Sequence, residues 1–450
     1  MRRSEDGDRS RALLRPSLVQ QSSGSTIAPL RGVAAMLSEK NIVNWQFWAA
    51  AAYLALLPSN AWTFARSLAF GFAAGWALVI LIAGWAGRGA RVPSPGRAIL
   101  TTLALWCAWS VASLAWSIDV AYSAEQLRRE VAWSVLALMG FYVAAHGPSA
   151  WRTLIAVALV AFAAYALLAL GAAATPSGWD PSRWHSGVGP YATYVVLIAP
   201  LLLTLPGPHP VGFNGRKWTV AIGLALLVLL LVSARLTDNR MVWIALAGTY
   251  ATAFALAAWR WRAPPARAPV RWLSPLFALL IVLGVVFADV THERARSDFP
   301  PNTSVARTLA EDPRLSLWEE TVQLIGERPW TGYGFGRAIV ADQLKGSLGN
   351  PMLWHAHNLF VAQILQTGLI GLALFTALLV SVGACFVRYI RRGDDALALV
   401  GIVGASLLAG FLTKNLTDDF LFRSSAKEFW ALLALLIGFG TRLEQGRAAK

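Results

Sequence analysis

The sequence predicts an all-α, polytopic integral membrane protein with about twelve transmembrane helices and a helical periplasmic loop domain between helices nine and ten. Three observations lead there. Of the 450 residues 56% are hydrophobic and only 14% charged, where a soluble domain has roughly a quarter charged. Apolar runs of about 20 residues, each long enough to cross a bilayer, recur along the chain. Cations crowd into every second connection, the pattern of loops that stay in the cytoplasm.

Residues 1–43, polar and Arg-rich with no adjoining apolar core, differ from a cleavable signal peptide and read as a disordered cytoplasmic tail. The expected spans within 44–290 are 44–60, 63–86, 98–116, 128–147, 151–173, 187–206, 217–234, 241–259 and 272–290. Those within 357–442 are 357–388, 395–413 and 427–442, and 443–450 form a second cytoplasmic tail. With both tails inside, the basic stretches "GRGARVPSPGR", "RWRAPPARAPVR" and "VRYIRRGDD" all fall on the cytoplasmic face. That distribution accounts for the net charge of +15 without nucleic acid, for which no basic-aromatic module is present. Cys107 and Cys385, far apart in apolar runs, offer neither a disulfide framework nor a metal site.

The remaining segment, 291–356, is the long connection expected to carry part of the active site on the periplasmic face. Asp312 caps a helix that has Pro313 in its first turn. Arg314, Trp318, Thr321 and Ile325 then share one face, and Gly326 or Pro329 ends it. Gly332, Gly334 and Gly336, interleaved with Tyr333 and Phe335, predict a tight turn against the membrane surface.

Polar groups from several connections gather on that outer face: Arg183, Arg235, Arg240, Arg314, Arg337, His355, His357, Asn358, Lys414, Asp418 and Asp419. Arginines at a dry rim suit a phosphate or pyrophosphate, because a guanidinium stays charged when partly desolvated. A histidine beside them suits proton abstraction near neutral pH. Each has a structural alternative. Arg240 can snorkel at a helix end, Arg314 can pair locally with Glu319 or Asp312, Asp180 can neutralise Arg183, and Arg337 can face lipid headgroups. The two histidines have no Cys or carboxylate nearby in sequence to complete a zinc site, so no metal is expected. No phosphate-binding P-loop occurs, and Asp-x-Asp occurs only as Asp6 and Asp8 of the tail, so no nucleotide cofactor is expected either.

The runs "DPRLSLWEETVQLIGERPWTGYGFG" and "HAHNLFVAQILQTGLIGLALF" resemble the signature region of bacterial O-antigen ligases and polymerases. The elements are Arg314 and Trp318, Pro329, Gly332 and Gly334, then His357 and Asn358, and a helix with Gly368 and Gly371. "GVGPYATYVVLIAP" and "TDNRMVWIAL" are similar too, although Gly189 and Pro190 stand where many members have Asn. Chain size and the single long loop look most like an O-antigen ligase of the inner membrane. The resemblance implies a glycan donor on undecaprenyl pyrophosphate, a lipid A core acceptor, surrounding membrane lipids, and inverting transfer without metal or cofactor. His357 would be the base with Asn358 close by to orient it, Arg240 and Arg314 would hold the pyrophosphate, and Arg183, Arg235 and His355 would assist, with His355 open as an alternative base. A polymerase or a protein O-oligosaccharyltransferase shares the signature. A transporter or flippase would instead show inverted repeats.

Overall fold

A computed structural model describes residues 39–180, 187–213, 217–261, 270–298, 313–349, 353–392 and 394–448. Most of the expected N-terminal tail, together with Arg183 and Asp312, lies outside them. Among the described residues there is no strand. Helices α1 (Glu39–Leu56), α2 (Thr63–Trp85) and α3 (Arg97–Ala112) come first, α3 ending in a 3-10 turn. A short α4 (Val120–Gln126) passes through a π-helical turn, Leu127–Ala132, into α5 (Trp133–Ala144), and α6 (Pro148–Ala173) follows. Next are α7 (Val188–Ile198), α8 (Lys217–Leu236), α9 (Arg240–Arg260) and α10 (Val270–Asp298). The expected loop domain contains α11 (Pro313–Glu327) and α12 (Ala341–Leu348), before α13 (Leu359–Arg391), α14 (Asp395–Lys414) and α15 (Arg423–Ala448).

Each segment expected to span is helical over most of its length, and among the described residues seven helices are long and apolar enough to cross a membrane. The chain is an all-α multi-pass membrane protein. Its lipid-facing surface is apolar: Phe64, Trp85 and Trp218 are 82%, 89% and 78% exposed. The centre belongs to α14 and α15, whose residues 429–437 are all buried. Stacked rings hold α15, with Phe429 on Phe411 at 4.0 Å and Phe439 on Trp151 at 4.6 Å. Small residues bring helices into contact, as lipid offers no hydrophobic drive between them. Gly401 and Gly404 of α14 lie against Phe386 of α13, and Gly410 against Thr249 of α9.

One irregularity positions everything that follows. Within α13, Gly368 has φ 70° and ψ −175°, which breaks the helix after its third turn. A break in an apolar environment strands backbone carbonyls, and each needs a donor. The turn after α11 supplies two: Tyr333 N–H donates to Leu365 O at 2.8 Å and Gly334 N–H to Gln366 O at 3.0 Å. Trp109 Nε1 of α3 donates to Thr367 O at 2.9 Å. In return Leu369 N–H donates to Pro329 O at 2.8 Å. The approach leaves no room for side chains, since a Cβ on Gly368 would run into the Trp330 carbonyl.

Gly368→Ala therefore meets a backbone conformation open essentially only to glycine and a steric clash as well, and it should lower stability by about 2 kcal/mol or more. Thermal unfolding in detergent reads this directly, with Gly171→Ala, where a Cβ meets open space, as the neutral control.

Candidate functional site

Four connections meet at one end of the bundle. Ile118 N–H, just before α4, donates to Tyr333 O at 2.9 Å, and Ala338 N–H donates to the Tyr122 hydroxyl at 2.8 Å. Trp318 Nε1 of α11 donates to Ala356 O at 3.0 Å, tying that helix to the histidine segment. Asn358 then caps α13, its Oδ1 accepting from Phe360 and Val361 N–H, while its Nδ2 donates to Leu416 O at 2.8 Å. Asn358 is thus engaged in holding the backbone, whereas the sequence placed it near His357 to orient the ring.

At the junction sits Arg337, which sequence reasoning allowed to face headgroups. Its side chain is instead only 9% exposed. Its Nε donates to Asp419 Oδ1 at 2.7 Å, and Nη2 also pairs with that carboxylate. Phe422 and Trp354 present their ring faces to the guanidinium at 4.3 and 5.0 Å, a fitting environment for a weakly hydrated cation. His355 completes the group. Asp419, a carboxylate, can only accept, so Nδ1–H donates to it across 3.1 Å, which leaves Nε2 to accept from Arg337 Nη2 at 2.9 Å. Burial holds the His355 imidazole below its ordinary value, with Arg337 acting in the same sense and Asp419 opposing. For Asp419 burial favours the neutral acid, but Arg337 and His355 outweigh it and keep the carboxyl below the usual range.

His357 is differently placed. Its ring stacks on His355 with centroids 3.7 Å apart, and its side chain remains 20% exposed. Nδ1 is buried and faces Asp418 Oδ1 at 3.9 Å, too far for a hydrogen bond in this state. Asp418 is itself paired with Lys414, which is fully buried at the end of α14. The backbone of His357 is left-handed, φ 49°, an uncommon conformation for a residue with a side chain. So the sequence-predicted His355 and His357 come together, joined by Arg337, Asp418, Asp419 and Lys414.

The predicted arginines are more scattered. Arg240 opens α9 with no hydrogen bond or ion pair to its side chain among the described residues. Two turns further along α9, Gly248 packs on Thr413 of α14, so Arg240 shares the end of the bundle that carries the Lys414–Asp419 connection. Arg235 is taken up elsewhere, its Nη2 2.6 Å from Glu293 of α10. Arg314 lies in the first turn of α11, with its side chain outside the described residues, as is Arg183. Sequence reasoning singled out none of Trp354, Phe422, Tyr122 and the buried Glu130 of the π turn. The alternating "DDFLF" after Lys414 was the available signal for the aromatic faces around a cation.

Part of the chain that builds this site is similar to known proteins. Residues 225–376 match the O-antigen ligase family. The matched stretch runs from α8 through the histidines to the middle of α13, and so includes both the helix break and the turn docked on it. A Rickettsia bellii (strain RML369-C) protein, provisionally named a polysaccharide ligase, is 28% identical over 119 residues, or 24% of this chain and 29% of that one. A similarly named protein of Rickettsia conorii (strain ATCC VR-613 / Malish 7) is 28% identical over 120 residues, covering the same shares. The alignments thus span less than a third of the length of these relatives.

The buried cluster predicts a pH effect on stability. Because the folded protein holds His355 below its ordinary value of 6.5, the unfolded chain binds that proton more readily, and stability drops as pH falls below about 6.5. Melting temperatures from pH 8 to 5 should show this loss in the wild type and a flatter profile in His355→Gln. An equal slope in both would assign the effect to other groups.

Proposed function

We propose that the protein is an O-antigen ligase that transfers a polysaccharide from undecaprenyl pyrophosphate to a sugar hydroxyl of the lipid A core. The supporting observation is the unequal use of two adjacent histidines. Both nitrogens of His355 are committed to Asp419 and Arg337, whereas His357 keeps an exposed edge beside them, inside the family-matched stretch. A base must reach its substrate and have a proton-accepting nitrogen to offer. His357 meets that requirement, with Asp418 Oδ1 3.9 Å from its Nδ1.

In this reading His357 takes the proton from the acceptor hydroxyl, whose oxygen attacks the anomeric carbon of the donor's first sugar. The bond to the pyrophosphate oxygen breaks, its electron pair leaves with the phosphate, and the anomeric centre inverts. Arg240 and Arg314 stabilise the leaving charge, preorganised cations being most effective where water is scarce. Arg183 is a further candidate for a phosphate contact. The reaction needs no metal or cofactor. The site faces the periplasm of a bacterial inner membrane, both tails are cytoplasmic, and 291–356 is the loop domain that completes the site.

The test is transfer in EDTA from a polyprenyl pyrophosphate-linked glycan, offering either lipid A core or a second donor molecule as acceptor. His357→Ala should lower kcat by about 100-fold or more, the scale of a lost general base. Arg240→Ala should lower kcat/KM, with Arg240→Lys recovering only part, as a point charge replaces a planar fork. Chain extension in place of core glycosylation would make the protein a polymerase, and full activity of His357→Ala would remove that residue from the mechanism.

A further inference from the structure

The face of α6 turned away from the bundle core carries a groove of about 610 Å³. Val157, Val160 and Ala164 line it, at the three- and four-residue spacing that puts side chains on one helical face. Leu154, Ala158 and Phe162, on the other face, are buried. Ala55 of α1 lines the groove as well, and Arg152 and Phe213 line one end of it. From Arg152 to Ala164 the helix rises about 18 Å, close to the roughly 15 Å of hydrocarbon in one leaflet. An apolar groove of that length, open to the bilayer, fits a lipid tail. Its charged end decides which lipid.

The turn that carries Phe213 is pinned to α6, since Trp151 Nε1 donates to Val211 O at 3.0 Å. Four residues beyond Phe213, the exposed Lys217 opens α8, with Trp218 beside it 78% exposed. Lys and Trp together at the end of a spanning helix mark the headgroup level of a membrane. Arg152 therefore lies where a tail in the groove would have its phosphate. Neither Arg152 nor Lys217 has a side-chain hydrogen bond or ion pair among the described residues, and no acidic residue lines the groove. Basic pockets between spanning helices attract anionic headgroups, each cation near the surface strengthening binding by about fivefold.

This end of the bundle is remote from the histidines. Trp151 stacks on Phe439, and from Arg423, next to the Asp418 and Asp419 connection, to Phe439 the helix α15 rises about 24 Å. A phosphate on Arg152 belongs to the leaflet opposite His357, out of reach of the transfer site. That excludes the glycan donor in its reacting position and leaves a lipid of the bilayer itself.

We infer that the groove is a binding site for one anionic phospholipid, with an acyl chain along α6, its phosphate on Arg152, and Lys217 as a second, more exposed contact. The bound lipid ties α1, α6 and the turn before α8 together, and so stabilises the folded protein in proportion to its occupancy. The site stands whether or not the protein is a ligase.

Native mass spectrometry of the full-length protein in a neutral detergent tests this, with dioleoyl phosphatidylglycerol and dioleoyl phosphatidylcholine as probes of equal tails and unequal charge. The first phosphatidylglycerol should bind the wild type about fivefold or more tightly than phosphatidylcholine. Arg152→Gln should remove that preference, Arg152→Lys should retain it, and Arg88→Gln, which neutralises an exposed cation between α2 and α3, should leave it unchanged. Ala161→Trp, which fills the groove, should remove the first bound lipid. Thermal unfolding shows that each variant is folded, and phosphatidylglycerol should raise the melting temperature of the wild type but not of Ala161→Trp. Should that variant fail to fold, Arg152→Gln, a change at a partly exposed position, still decides the matter. Equal affinity for the two lipids in the wild type, or an undiminished preference in Arg152→Gln, overturns the headgroup contact. Unchanged lipid binding in a folded Ala161→Trp overturns the groove. Full displacement of the lipid by glycerol 3-phosphate would make this a phosphate site that needs no tail, and stronger binding of undecaprenyl phosphate would make it a polyprenyl site; either result overturns the assignment.

Discussion

The structure around the histidines depends on the ion pair between Arg337 and Asp419, whose side chains are only 9% and 2% exposed. Taking two charges out of water costs several kcal/mol per ion, and their attraction offsets this only when the remaining donors and acceptors are also met. Here His355 takes one carboxylate oxygen and one guanidinium nitrogen, while Trp354 and Phe422 cover the cation with ring faces. The three partners come from different connections, the turn after α11, the lead-in to α13 and the link between α14 and α15. None can withdraw without stranding a buried charge. That is a stronger constraint than apolar packing, which tolerates sliding by a fraction of a side chain.

A second constraint delivers Arg337 to that meeting point. The break in α13 opens carbonyls that need donors from outside the helix; Trp109 supplies one, and the stretch from Pro329 to Gly336 supplies two with its backbone. Its glycines are required by close approach as much as by turn geometry. A Cβ on Gly332 would meet the Leu365 carbonyl, and one on Gly334 would meet Ser117. The Gln366 side chain extends the docking by accepting from Gly336 N–H at 3.0 Å, immediately before Arg337. The helix break, the glycine turn and the buried pair are therefore one assembly, in which backbone hydrogen bonds fix the position at which the charge pair closes.

Much of the fold was legible because a bilayer imposes a length on apolar runs, and every expected span is helical over most of its length. The interruption at Gly368 was hidden, since a glycine in an apolar run reads as a small residue for helix packing until its carbonyls are seen to have outside partners. In the site, the histidines were legible as ionisable groups beside a membrane segment. Their different roles were not, because His355 and His357 have nearly the same sequence neighbours. What separates them is Asp419, 64 residues beyond His355, and no local pattern encodes that contact. Arg337 was misjudged for a related reason: its neutralising carboxylate and its aromatic cover both come from remote segments. Glu130 follows Arg128 and Arg129 directly, and nothing in that local pattern marks it as an inward-facing group. In the fold it is Glu125 that pairs with Arg129, and Glu130 turns inward.

The division between the two histidines also bears on why a pair is useful. A base at a membrane surface must be held rigidly yet keep one face open, and a lone imidazole ahead of a helix has few groups to hold it. His355 solves this by being fixed from two sides and offering its ring as a platform for His357 at 3.7 Å. The left-handed backbone at His357 turns the chain so that Asn358 can cap α13 while the imidazole stays stacked. Such a conformation costs of order 1–3 kcal/mol and persists only where its surroundings over-determine it. The cap, the Asn358–Leu416 contact and the Leu359 N–H bond to Asn415 O supply that determination, the last two from the connection that also carries Asp418 and Asp419. The strain is thus stored at the residue proposed as the base and is held by neighbours that cap and tie the backbone.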